Sequence, residues 1–149
     1  MSGVIIGVES TAHTFSFGLV TDEGRPHKSY SALYRPEEGG IHPREAADHH
    51  SNLASELISR LMKEEGLQPD DVTAIAYSQG PGLGPCLRVG ANVSRALSQQ
   101  WNIPLVGVNH CVAHIEIGRN QTGCVDPVCC MLVEGIHRLL QGLVNVIRC

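Results

Sequence analysis

Apolar and polar residues alternate in the first part of the chain, and this pattern predicts strands. Val4–Val8 is a β-branched apolar run, typical of a buried strand. Thr14–Thr21 alternates strictly and places Phe15 and Phe17 on the same face. A third strand is predicted over Lys28–Leu33, so the chain is expected to open as an antiparallel meander.

A Gly-rich polar loop follows, and after it the apolar residues recur at the spacing of a helix. Pro43 can begin a helix, because its missing N–H would have no partner there. Apolar positions recur at helical spacing from Ala46 until Gly66 ends the pattern, and His50 occupies one of them. The later predicted strands are Val72–Ser78 and Pro104–Val108, and the later predicted helices are Leu87–Trp101 and Cys111–Gly118.

The predicted order β-β-β-α-β-α-β-α has consequences for the fold class. Three antiparallel strands followed by β-α units indicate an α/β protein with a mixed sheet and helices on its faces. This is the order of one lobe of the actin/Hsp70/sugar-kinase architecture. Such folds normally have two lobes with a nucleotide between them, and 149 residues suffice for one lobe.

Composition and charge exclude several classes. The formal charge of -4 argues against a dedicated DNA or RNA clamp, although RNA held mainly by partner subunits stays compatible with it. No apolar run reaches the roughly 18 residues that span a bilayer, and no signal-like segment precedes the first strand. The six cysteines are irregularly spaced, which favours reduced thiols in a cytosolic protein.

Two histidines four residues apart, His110 and His114, are the strongest candidate for chemistry. On a helix they would lie on one face, where two imidazoles can bind one transition metal. The spacing alone fits ordinary surface or core histidines as well. A metalloprotease of the H-E-x-x-H type needs Glu directly after the first histidine, and Cys111 stands there instead.

Three further stretches carry weaker signals. Gln79–Arg88 combines a strand end, a glycine-rich turn and a helix start, where backbone amides can face an anion, or where glycines merely permit a tight turn. In actin-like lobes the turn after the first strand approaches phosphates or metal, which would place Glu9 and His13 at the cleft. An exposed polar turn is the alternative. Gly39–His50 gathers titratable side chains around a helix start and remains only suggestive.

Taken together, these four stretches resemble a known family. GVESTAHTF, GGIHPREAADHH, SQGPGLGPCLRVGA and PLVGVNHCVAHIEIG, in this order and spacing, closely resemble the tRNA threonylcarbamoyladenosine synthase family. The match is to its archaeal and eukaryotic branch, the catalytic subunit of the KEOPS complex. It extends from Gly3 to about Val128.

The resemblance implies an activity, a cofactor and partners. It implies a cytoplasmic actin-like enzyme that transfers a threonylcarbamoyl group from threonylcarbamoyl-AMP to N6 of the adenosine beside the anticodon of tRNA. One divalent metal, iron or zinc, would lie in the cleft, with His110 and His114 as ligands and Glu9 and His13 as catalytic candidates. KEOPS subunits and tRNA would be the partners, with neither DNA nor a membrane involved.

After Val128 the sequence departs from the family pattern. The family continues in the style Val-Leu-Tyr-Val-Ser-Gly-Gly-Asn-Thr-Gln-Val-Ile-Ala, whose tyrosine is a metal ligand, and here Met131 stands in its place. Residues 128–141 have synonymous codons that spell this family motif when they are read one frame over. We therefore interpret residues 1–128 as the first lobe and 129–149 as a frameshifted tail, with the second lobe absent and the chain inactive.

Two alternatives to a damaged transferase stay open. The chain could be a non-catalytic module that keeps the KEOPS-binding surface of the first lobe. It could also be a metalloprotease of the O-sialoglycoprotein endopeptidase type, against which the missing Glu after His110 counts.

Overall fold

A computed structural model of the chain describes residues 3–21, 24, 26–36 and 38–125. The predicted order of elements is confirmed, with one short 3-10 turn added at Pro69–Asp71. The strands are β1 (Val4–Glu9), β2 (Thr14–Thr21), β3 (Pro26–Leu33), β4 (Val72–Gly80) and β5 (Leu105–Asn109). The helices are α1 (Pro43–Glu64), α2 (Gly84–Trp101) and α3 (His110–Thr122).

The five strands form one mixed sheet with the order β3-β2-β1-β4-β5. β1, β2 and β3 pair antiparallel, whereas β4 pairs parallel with both β1 and β5. In the register, Ile6 lies opposite Leu19 on one side and Ile75 on the other. β1 is therefore the central strand, and the antiparallel and parallel halves of the sheet meet on it.

Alternate residues of the strands build the core on one face of the sheet. Ile6, Phe15, Phe17 and Ile75 have no exposed surface. α1 and α2 pack against each other and against this face, and Leu61 of α1 is also fully buried. Because successive strand residues point to opposite faces, Glu9 lies on the side away from these helices.

α2 begins three residues earlier than predicted, at Gly84 instead of Leu87. Pro85 and the glycines before it favoured a loop in the sequence analysis. Proline is nevertheless compatible with the first turn of a helix, where its missing N–H costs no hydrogen bond. The earlier start moves the helix terminus towards the loop that follows β1.

The chain divides into two compact units, residues 1–110 and residues 111–149. The first contains the sheet, α1 and α2. In the second, the described residues are 111–125, which contain most of α3. Within the described ranges, no helix combines the length and the apolarity needed to cross a bilayer. Met131 and the predicted tail 129–149 lie outside the described residues.

Candidate functional site

The carboxyl ends of three neighbouring strands bring polar residues together. Glu9 is the last residue of β1, Ser78 lies near the end of β4, and His110 directly follows β5. These three strands are parallel, so the side chains meet at one edge of the sheet although they are far apart in the sequence. This group of Glu9, Ser78 and His110 is called the Glu9 cluster below.

The carboxylate of Glu9 is held by three donors. Oε1 accepts a hydrogen bond from the backbone N–H of Thr11 at 2.6 Å. Oε2 accepts a hydrogen bond from the Ser78 hydroxyl and lies 3.1 Å from Nδ1 of His110. Burial acts to raise the pKa of Glu9, but the hydrogen bonds from Ser78 and Thr11 outweigh it, so the pKa lies below its ordinary value of 4.5. Glu9 is therefore an anion at neutral pH.

The contact with Glu9 fixes the tautomer of His110. A carboxylate can only accept, so Nδ1 of His110 is the donor, and in the neutral ring Nε2 carries the lone pair. A histidine oriented in this way by a carboxylate is the usual form of a metal-binding imidazole. The His110 side chain is 22% exposed, which makes it accessible from solvent.

The glycine-rich stretch lies directly against the loop after β1. A Cβ built on Gly82 would come within 2.6 Å of the Thr11 carbonyl oxygen, and the Leu83 N–H donates to that oxygen at 2.7 Å. Farther along α2, a Cβ on Gly90 would lie 2.1 Å from Oγ of the buried Ser10. These glycines therefore allow α2 and the turn before it to lie close to the loop after β1, which brings two of the four sequence motifs together.

Among the described residues, no side chain caps the start of α2. Its N-cap residue, Leu83, supplies no side-chain acceptor, and no acidic residue lies in the first turn. Backbone amides of a first turn that lack a helical partner attract anions. Both predicted interpretations of this stretch, the tight turn and the anion-facing turn, are compatible with this geometry.

His13 does not share the environment of Glu9. Its backbone carbonyl accepts a hydrogen bond from the Tyr34 N–H at 2.8 Å. Its Nδ1 atom is buried and has no hydrogen-bond partner among the described residues. The two catalytic candidates thus flank the loop after β1, but the described hydrogen bonds of Glu9 lead to Thr11, Ser78 and His110 instead.

A buried histidine on α1 is a feature whose role the sequence did not reveal. His50 has no exposed surface, packs its ring 5.4 Å from that of Phe15, and lies with Nε2 at 2.8 Å from the Ala12 carbonyl oxygen. Its place in the apolar repeat of α1 indicated burial. The partner, Ala12, could not be read from the sequence because it lies 38 residues away.

In the second unit, α3 extends through His114 to Thr122. Glu116, two residues after His114, accepts a hydrogen bond from Arg119 at 2.8 Å. Among the residues that the structure describes, no group of three or more His, Cys, Asp or Glu side chains is arranged to hold a metal ion.

Comparisons with known proteins show the family and the fold. The family model of tRNA N6-adenosine threonylcarbamoyltransferase matches residues 27–144. A protein named tRNA N6-adenosine threonylcarbamoyltransferase from Pyrobaculum calidifontis is 53% identical over 140 residues, which cover 93% of this chain and 41% of that protein. A protein named probable bifunctional tRNA threonylcarbamoyladenosine biosynthesis protein from Methanosarcina acetivorans is 53% identical over 127 residues, or 83% of this chain and 23% of that one.

The solved structure of YeaZ from Pseudomonas aeruginosa superposes with a TM-score of 0.62 at 19% identity, covering 81% of this chain and 50% of that one. This likeness concerns the fold alone, and the predicted actin/Hsp70/sugar-kinase-like class is confirmed. The chain spans about two fifths of the length of the transferases that it matches. From the extent and identity of these matches, the chain belongs to the tRNA N6-adenosine threonylcarbamoyltransferase family.

Proposed function

We propose that this chain is the first lobe of an enzyme that transfers a threonylcarbamoyl group from threonylcarbamoyl-AMP to N6 of the adenosine beside the anticodon of tRNA. Family membership supports the reaction. The observation that carries the proposal to particular residues is the Glu9 cluster. There an ionised carboxylate fixes the tautomer of His110 at the shared edge of three strands.

His110 and His114 would hold one iron or zinc ion. His110 fits this role, because its contact with Glu9 gives Nε2 the lone pair that a metal ligand needs. His114 lies four residues later on α3, which is the spacing that places two side chains on one helix face. When bound, such a metal supplies Lewis acidity that polarises the carbonyl under attack.

Glu9 acts here as a positioning residue for His110. Its negative charge also strengthens the His110 imidazole as a ligand, since a hydrogen bond from Nδ1–H to a carboxylate raises the basicity of the other nitrogen. His13 remains a catalytic candidate on the other flank of the loop. The backbone amides at the start of α2 are suited to the phosphate of the adenylate.

The partners proposed are tRNA and the KEOPS subunits, and the location proposed is the cytoplasm. The chain has 11 basic and 15 acidic residues, so its own charge does not favour a polyanion. Most contacts with the tRNA phosphates would therefore come from the partner subunits. Neither DNA nor a membrane has a role in this proposal.

A second candidate is a non-catalytic module that binds KEOPS subunits. A metalloprotease is the weakest candidate, because Cys111 occupies the position of the general base in H-E-x-x-H enzymes.

The test of the reaction compares two proteins. One is the chain as it stands, and the other is the product of the same gene with the reading frame restored after Pro127. Each is incubated with tRNA, threonylcarbamoyl-AMP and KEOPS subunits, and the modified nucleoside is measured by mass spectrometry. We expect modification only with the restored protein, because transfer requires metal, adenylate and adenosine held together. Equal modification by both would contradict the expected inactivity of the chain, and none by either would contradict the reaction.

The metal proposal is tested on the chain itself by elemental analysis after dialysis. We expect iron or zinc clearly below one equivalent, since two histidines are fewer than the three or four ligands of stable sites. His110→Ala should lower the content to background. His42→Ala is the matched control, because the His42 side chain is 60% exposed and lies 4.0 Å from Glu45, away from the Glu9 cluster. Full occupancy that survives His110→Ala would refute the assignment.

A further inference from the structure

Two adjacent histidines on α1 form a chain of contacts that ends at the loop after β1. Nε2 of His50 lies 2.8 Å from the carbonyl oxygen of Ala12, and Nδ1 of His50 lies 3.4 Å from Nδ1 of His49. The two rings are nearly perpendicular, at 67°. His50 is fully buried, whereas His49 is only half-buried.

The Ala12 carbonyl determines where the protons are. A carbonyl oxygen can only accept, so Nε2 of His50 must carry a hydrogen. A fully buried imidazole is neutral unless a charge compensates it, and a neutral ring with Nε2–H has a lone pair on Nδ1. The facing atom, Nδ1 of His49, must then be the donor. In a neutral His49 ring, this leaves the lone pair on Nε2.

The surroundings of His50 favour its neutral form. Burial lowers the pKa of His50 below its ordinary value of 6.5, and the hydrogen bond to Ala12 opposes this. Of the charged or titratable groups that face it, His49 and His13 lower the pKa further, and Glu9 raises it.

The outer histidine, His49, is half-buried. The ring is flanked by that of Tyr34 at 5.6 Å, and Tyr34 donates its hydroxyl hydrogen to Glu45. His49 thus lies between the rings of Tyr34 and His50.

We propose that His50 is a positioning residue with two separate roles: its Nε2–H anchors the loop after β1 through Ala12, and its Nδ1 fixes His49 in the Nδ1–H tautomer. In the neutral His49 ring, this tautomer presents Nε2 as an acceptor for an N–H or O–H donor. Its use for the amine of the acceptor adenosine rests on the proposed function. The assignment of the tautomer does not depend on the proposed function.

Nitrogen NMR of the 15N-labelled chain at neutral pH reads the tautomers directly, because protonated and unprotonated imidazole nitrogens resonate in well-separated regions. We expect Nε2–H for His50 and Nδ1–H for His49, with His49→Gln used to assign the signals. Nε2–H on His49, or an unprotonated Nε2 on His50, would overturn the proposal. Neither tRNA nor substrate is needed, so this result is independent of the transfer reaction.

Two variants separate the roles. His50→Gln keeps an N–H donor near the position of Nε2 but loses the acceptor for His49. His50→Asn keeps an oxygen near the position of Nδ1 but loses the donor to Ala12. Amide hydrogen exchange at Tyr34 and Leu83, whose N–H groups bond to His13 and Thr11 of the loop, reports the anchor.

We expect exchange at Tyr34 and Leu83 to be about three- to tenfold faster in His50→Asn and nearly unchanged in His50→Gln, because one hydrogen bond is lost only in the former. The His49 tautomer should be mixed in His50→Gln and fixed in His50→Asn. The same response of both readouts in both variants would refute the two separate roles. If neither variant folds, the tautomers of the unmodified chain still decide the proposal.

Discussion

Glu9 and His50 hold the same loop from its two ends, and they do so with opposite chemistry. Glu9 is an anion, about one-third exposed, that accepts from Thr11, Ser78 and His110. His50 is a neutral ring without exposed surface that donates to Ala12. The charged contact lies where solvent and ligands can reach it, and the neutral contact lies inside the helix layer.

This difference indicates that the charged contact of Glu9 belongs to the candidate site, whereas the neutral contact of His50 belongs to the scaffold, the buried structure that supports the site. A charge that must act on a ligand cannot be fully buried without a large desolvation cost, whereas a neutral hydrogen bond can be buried at little cost when it is satisfied. Because the loop is anchored elsewhere, its Thr11 N–H can hold the Glu9 carboxylate in contact with His110. The glycines that touch Thr11 and Ser10 belong to the same scaffold.

The largest expected loss of stability comes from a substitution at Gly82, which lies against the loop after β1. In Gly82→Ala the new methyl group would lie within 3 Å of the Thr11 backbone, which cannot move without disturbing the loop. We expect a loss of about 2 to 3 kcal/mol in unfolding free energy, typical of overpacking. Gly84→Ala is the control, because nothing lies within 4 Å of its built Cβ. Equal stability of both variants in chemical denaturation would show that the glycine contact does not position the loop.

The next prediction compares the loss of unfolding free energy on replacing two buried serines, Ser78 in the candidate site and Ser94 in α2. Ser78→Ala removes a hydrogen bond to Glu9 and should cost about 1 kcal/mol, since part of the lost contact is replaced by water. It should also raise the pKa of Glu9 towards its ordinary value.

Ser94→Ala is the matched variant, because Oγ of the fully buried Ser94 has no hydrogen-bond partner among the described residues. Its removal should leave the unfolding free energy unchanged or slightly higher. A larger loss for Ser94→Ala than for Ser78→Ala would contradict the comparison. Urea denaturation of the two variants side by side measures the difference.

The smallest expected effect is the pH dependence that His50 contributes. Because its pKa is lower in the folded state than the ordinary 6.5, the unfolded chain binds a proton first as the pH falls. The unfolding free energy should therefore decrease as the pH drops below about 6.5, until the folded-state pKa is passed. His50→Gln should flatten this part of the profile. An unchanged slope in His50→Gln would assign the dependence to other histidines.

The sequence predicted the element order, the mixed sheet and the family, because each of these depends on local periodicity or on long continuous motifs. It placed α2 three residues late, since Gly and Pro favour a loop when their tertiary contacts are unknown. It grouped Glu9 with His13 because they are neighbours in sequence. Only the strand register reveals that Glu9 meets Ser78 and His110, which lie 69 and 101 residues away.

The prediction of a frameshift after Val128 stays a prediction. The family match continues to residue 144, past the proposed change of frame. Sequencing the gene across the Pro127 codon decides the matter. We expect the other frame to continue with family-like sequence for a further lobe, and stop codons shortly after the Ala codon of the restored motif would contradict it.

The central position of β1 has a consequence for how the chain is made. β1 leaves the ribosome well before its parallel partner β4, which begins only at Val72. Because synthesis adds about 5 to 20 residues per second, one edge of β1 stays unpaired for several seconds after the β1–β3 meander has been made. The apolar residues of that edge, Ile5, Ile6 and Val8, are then open to pairing with a second nascent chain. Slowing translation between Leu33 and Val72 should therefore reduce the soluble yield.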